Sequence, residues 1–147
     1  MDNVWTTVIA FNLFISSEAL ESAGNFDEML GVNALYGSCE ETDLAIRVLS
    51  GAKGYYDYAL RVTHPDKALT PTSVNRAFAY GTGLGYVLFK HNVSVKTVAN
   101  FVIRPAGGML LSLLNRNLLS TRYYWQTLRG RVVGYLSGMI KARAGGR

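Results

Sequence analysis

The sequence holds one cysteine, Cys39, and two histidines, His64 and His91. A single thiol excludes an internal disulfide and a multi-cysteine metal site. Neither histidine has a Cys or His partner at metal-site spacing. No run of eighteen uninterrupted apolar residues occurs, so the sequence offers no clean transmembrane span. Val98–Leu119 comes nearest, but Arg104, Pro105, Asn115 and Arg116 interrupt it. Val4–Ile15 is apolar yet is flanked by Asp2 and Glu18 and lacks a basic leader, which argues against a signal peptide. Outside a glycine-rich tail there is no low-complexity segment, and there is no internal repeat.

The most informative shortage is of acid. All ten Asp and Glu residues lie between Asp2 and Asp66, where only three bases accompany them. From Lys67 to Arg147 there are twelve Lys and Arg and no acid at all. A purely basic half calls for an anionic partner: membrane lipid, nucleic acid or a phosphate-bearing substrate. Its bases are scattered among apolar residues, which fits a phospholipid surface better than a nucleic-acid arm. A solvated face against an acidic neighbour is the plainer alternative.

What is present suffices for one domain: 147 residues, nearly half of them hydrophobic. Thr6–Ser17 is rich in β-branched and aromatic residues and reads as a buried strand. Ser16–Gly24 reads as a short helix with a serine start and a glycine stop. Asn25–Gly31 follows as a turn. Ser38 and Glu41 fit a capping box before Leu44, Ala45 and Val48, predicting a helix from about Cys39 to Leu49 that stops near Gly51. Gly54–Val62 alternates, with Tyr56, Tyr58, Leu60 and Val62 on one side, and reads as a second strand.

Beyond Ser73 the pattern is helical. One helix carries Gly81, Gly83 and Gly85. These form G-x-G-x-G with no strand before it, so close packing explains them better than a phosphate loop. A second helix starts at Ser94, is expected to break at Pro105, and resumes through Met109–Leu119. A third begins near Thr121. Gly130, Gly134 and Gly138 recur on it every four residues, a spacing that lets another backbone approach. Arg129, Arg131, Lys141 and Arg143 beside Trp125 and Tyr135 give this helix the character of a membrane-surface element.

Glu40, Glu41 and Asp43 form an acid cluster at a predicted helix start. Glu41 has two readings on pattern alone. It is a cap, or it is a rigidly held carboxylate able to take a proton from an attacking hydroxyl. Asp43 and Arg47 stand at i,i+4 and are spaced to pair.

Three stretches taken together bear on that choice. They are Asn12–Gly31, including Asn25-Phe26-Asp27-Glu28-Met29-Leu30-Gly31; Gly37–His64, including Glu40-Glu41-Thr42-Asp43-Leu44-Ala45-Ile46-Arg47; and Arg76–His91. In this order they resemble the second half of an inverting family 2 glycosyltransferase. Asn25 stands where that family's turn has its first glycine, and Glu41 where its catalytic base is usually Asp. The resemblance implies an α/β chain: a partial GT-A-like acceptor side over residues 1–71, then a basic helical, membrane-facing extension over 72–147. It implies Glu41 as the base. Glu40, Asp43, Arg47 and Asn12 would shape the acceptor site, and His64 would lie near the leaving-group phosphates or metal. It further implies a nucleotide-sugar donor, Mg²⁺ or Mn²⁺ in the complete enzyme, and a lipid-linked or polysaccharide acceptor at the cytoplasmic face of an anionic membrane. The D-x-D motif that binds the metal and the donor-binding half are absent from the sequence, so a missing half or partner chain is expected. Two rival readings are a non-catalytic membrane-associated helical module and a nucleic-acid-binding protein.

Overall fold

In the computed structural model, residues 13–55, 57–63 and 68–145 are described. Five helices account for 68% of them: α1 (Ser17–Ala23), α2 (Glu40–Gly51), α3 (Pro71–Lys90), α4 (Val95–Leu114) and α5 (Leu118–Gly145). No strand and no sheet occur among the described residues, so the expected α/β, partial GT-A-like fold is not what forms. The strand expected over Thr6–Ser17 lies largely outside the described residues, and its end from Leu13 to Ser16 is irregular. The described residues of Gly54–Val62 form no strand either. The Asp57 side chain accepts from the Ala59 backbone N–H at 2.8 Å, and the Leu60 N–H reaches the Asp57 carbonyl at 3.3 Å. That Asx turn bends the chain where alternation predicted extension. Alternation marks a face, and a strand also needs a neighbour to pair with.

The chain divides into two compact units. The first takes residues 1–28 and 40–67, and the second takes residues 29–39 and 68–147. In the first, α1 and α2 pack together. α1 follows its sequence signals: Ser16 caps it, accepting from the Ala19 N–H at 3.3 Å, and Gly24 ends it at φ +76°, where a side chain would be strained. The backbone N–H of Glu18, then the Ser16 side chain, hold the Glu18 carboxyl below its ordinary range.

The second unit is organised by glycine. α3 begins with a Thr70–Ser73 capping box and Pro71 in its first turn. It runs parallel to α5, with Gly81 beside Gly130, Thr82 beside Gly134, and Tyr86 and Phe89 beside Gly138. A methyl on Gly81 would lie 2.7 Å from the Thr127 carbonyl oxygen and 3.0 Å from the Gly130 Cα. One on Gly134 would collide with the Thr82 carbonyl oxygen. The two backbones therefore touch, as the four-residue spacing predicted. Gly83 faces the other way. A side chain there would strike Ser38, whose hydroxyl donates to the Tyr80 carbonyl at 3.0 Å. Thus all three glycines of the G-x-G-x-G stretch serve packing. The Met29–Cys39 segment closes the unit: Tyr36 is buried, stacks on Tyr86 at 4.1 Å, and shares a 2.9 Å hydrogen bond with Ser137.

α4 runs antiparallel to α5, with Phe101 near Arg131 and Gly108 against the Tyr124 ring. It is continuous through Pro105, where a break was expected. Proline at 105 has no N–H for the Phe101 carbonyl, its i−4 partner. The Arg131 guanidinium donates to that carbonyl instead, from α5. Pro105 is buried, and the same guanidinium lies 5.4 Å from the centre of the Phe101 ring. A donor distant in sequence thus repairs the gap. α4 ends in a turn with Arg116 at φ +54°, and Asn117 starts α5 by accepting from the Ser120 N–H at 3.0 Å.

Two outcomes follow for stability. Gly134→Ala should lower the unfolding free energy by about 1–3 kcal/mol through overpacking. Gly107→Ala, with nothing within 4 Å of the added group, should raise it by up to about 1 kcal/mol through helix propensity. Urea unfolding of both variants checks the contrast. In a double-mutant cycle, Arg131→Met should cost less in a Pro105→Ala background than alone. Alanine returns the N–H, and the coupling should be about 1–2 kcal/mol.

Candidate functional site

The acid cluster sits in the first turn of α2, but not as a capping box. The helix starts at Glu40, one residue after Cys39, which adopts φ +72°. Glu41 is therefore the second helical residue rather than the third. The Ser38 hydroxyl is turned to the Tyr80 carbonyl and the Cys39 sulfur, the latter at 3.4 Å. The expected Ser38–Glu41 exchange does not form.

The three acids have different surroundings. Asp43 has no exposed surface. Its Oδ2 accepts from Arg47 Nε at 3.0 Å, so the i,i+4 pair expected from spacing is present. Arg47 does more than pair. Its Nη1 donates to the Ala23 carbonyl and, at 3.4 Å, to that of Gly24. Its Nη2 donates to the Asn25 carbonyl at 2.8 Å. Carbonyls at a helix C-terminus lack intrahelical partners and attract cations. One guanidinium thus gathers the end of α1 and the following turn onto α2, with the buried Asp43 carboxylate fixing its fork.

Glu40 and Glu41 are half-buried, and their carboxylates make no hydrogen bond among the described residues. They are on the rigid N-terminal turn of a twelve-residue helix whose next residues, Asp43 to Ile46, are buried. Within the first unit the structure brings Asp43 and Arg47 together with the Asn25 backbone, and Glu40 and Glu41 share the first turn of α2 with Asp43. Asn12 and His64, the remaining predicted site residues, lie outside the described residues. No group of three His, Cys, Asp or Glu able to hold a metal occurs among the described residues. Glu40 and Glu41 alone do not make a divalent-cation site.

Compared with known proteins, the chain matches no family model, no curated protein sequence and no solved structure.

Sequence reasoning missed two features. The first is the role of Arg47 beyond its ion pair, for which the signal was the glycine stop at Gly24 with its free carbonyls. The second is how the acid-free unit satisfies its bases. Arg129 lies 4.8 Å from the Phe78 ring centre, Arg131 on Phe101, and Lys141 5.7 Å from the Tyr36 ring centre. With no carboxylate in that unit, aromatic faces take the cations.

Arg47→Met should destabilise the protein by about 3 kcal/mol, because the buried Asp43 carboxylate loses its ion pair. Asp43→Asn combined with Arg47→Met should recover part of that loss, since the charge is removed with its partner. Thermal unfolding of the two variants separates these outcomes.

Proposed function

We propose that this chain supplies the acceptor side of an inverting glycosyl transfer, with Glu41 as general base. The resemblance of three ordered segments to family 2 glycosyltransferases supports the reading. The observation that carries it is the division of labour in the acid cluster. Asp43 is consumed by the Arg47 clamp, while the Glu41 carboxylate, in the first turn of α2, has no hydrogen-bond or ion-pair partner among the described residues. A cap or an ion-pair partner would be engaged; a base must be free to meet its substrate.

In this reading the Glu41 carboxylate takes the proton of an acceptor hydroxyl as that oxygen attacks the anomeric carbon. The new C–O bond forms on the face opposite the bond to the nucleotide diphosphate, which leaves with its electron pair, and the configuration inverts. Glu40, beside it, would bind acceptor hydroxyls. Asp43 and Arg47 become positioning residues, holding the turn at Asn25 against α2. The nucleotide-sugar is held by a donor-binding half, in this polypeptide or in another chain. The acceptor class is a lipid-linked or polysaccharide hydroxyl.

The test is transfer of label from UDP-, GDP- or dTDP-sugars, with Mn²⁺ supplied, to lipid and polysaccharide fractions by membranes from cells producing the protein. Glu41→Gln should reduce turnover by about 10²–10⁴-fold. Its helix content and unfolding midpoint should stay near the parent values. Unchanged turnover in this variant would remove Glu41 from the reaction, and loss of folding would return it to a structural role.

A further inference from the structure

The second unit carries eleven Lys and Arg and not one Asp or Glu. Within it α4 and α5 form an antiparallel hairpin joined by Asn115–Asn117. Only one edge of α4 is used against α5, and Pro105 is its single fully buried residue. The rest of the helix leaves large apolar side chains uncovered: Ile103, Leu110, Leu111 and Leu114, the last 71% exposed. Past the turn, Leu118 is 69% exposed and Trp125 is half-exposed. Arg104, Arg116 and Arg122, all exposed, are interleaved with these residues. The exposed apolar surface is thus concentrated at the joined end of the hairpin and bordered by cations.

We propose that the α4–α5 hairpin lies in the surface of an anionic phospholipid bilayer, with the leucines around its turn seated among the acyl chains. Charge selects this occupant over a second copy of the chain, because two acid-free units meeting face to face would set like charges together. Leucine selects it over nucleic acid, whose grooves and phosphates offer these side chains nothing to cover them. A lipid surface supplies both an anionic layer and an apolar layer within about 5–10 Å of one another.

The hairpin lies on the bilayer rather than through it. α4 is long and apolar enough to cross a membrane, at about 30 Å for twenty residues. A crossing α4 would carry Arg104 and its antiparallel neighbour's Arg122 and Arg129 into hydrocarbon, where guanidinium groups are costly. Flat on the surface, Arg104, Arg116 and Arg122 reach headgroup phosphates by extending along their aliphatic stems. Burial lowers the Arg131 pKa; Tyr123 and Cys39 oppose that shift, and Arg104 adds the smallest lowering effect. This inference does not depend on the chemistry assigned to Glu41.

The test uses the full chain with extruded vesicles of phosphatidylglycerol and phosphatidylcholine, compared with phosphatidylcholine alone, in a sedimentation assay. Binding should favour the anionic vesicles at least tenfold. Leu110→Glu with Leu114→Glu should weaken it at least tenfold without changing helix content. Arg104→Gln with Arg122→Gln should weaken it and flatten its salt dependence. A second measurement needs no disruptive variant. With Trp5→Phe, Trp125 is the sole tryptophan, and brominated acyl chains should quench it. Any of three results would overturn the proposal: absence of quenching together with full binding by the leucine variant, vesicle-free dimerisation that the leucine variant abolishes, or tighter binding to RNA or duplex DNA than to anionic vesicles.

Discussion

The contact between the α3 and α5 backbones is the constraint on which the helical unit depends. Most helix pairs meet through interlocking side chains, with axes about 8–10 Å apart. Here Gly81 and Gly85 on one helix and Gly130 and Gly134 on the other bring backbone against backbone, and Gly138 makes room for the Phe89 and Tyr86 rings. The gain is dense van der Waals contact along several turns. The cost is that the pair tolerates no added atom. Everything else in the unit is arranged around that seam. The Met29–Cys39 segment packs on α3 through Gly37 and Gly83 and places Tyr36 between Tyr86 and Ser137. α4 is left to occupy another side of α5.

Much of this was legible because it is local or periodic. A four-residue glycine repeat states its own geometry, and Ser16 with Gly24 marks both ends of α1. The α2 boundaries were recovered from Leu44, Ala45 and Val48 for the same reason. The misreadings share a different cause, in that each was settled by a partner far away in sequence. Pro105 suggested a break, yet the donor that repairs it is Arg131. Ser38 and Glu41 had cap spacing, but the Ser38 hydroxyl is spent on Tyr80. The tyrosine-rich alternation after Gly54 lacked a companion strand among the described residues, and Asp57 turned the chain.

The acid cluster shows both sides of that rule. The pairing of Asp43 with Arg47 follows from spacing alone. That the pair would also tie down the end of α1 does not, because it needs the carbonyls of Ala23, Gly24 and Asn25 to arrive at the same guanidinium. The proposed base is thus defined as much by what its neighbours do as by its own position.

The repaired proline also orders events in time. As the chain leaves the ribosome, α3 emerges with a bare glycine face and α4 with an unfilled carbonyl at its middle. Neither has its complement until α5 is made, since Gly130 to Gly138 and Arg131 all reside there. Two of the three helices therefore have their complements on the third, so removing α5 would leave both the α3 glycine face and the Phe101 carbonyl without a partner. The leucines of α4 have no such complement on α5 and stay uncovered in the folded unit.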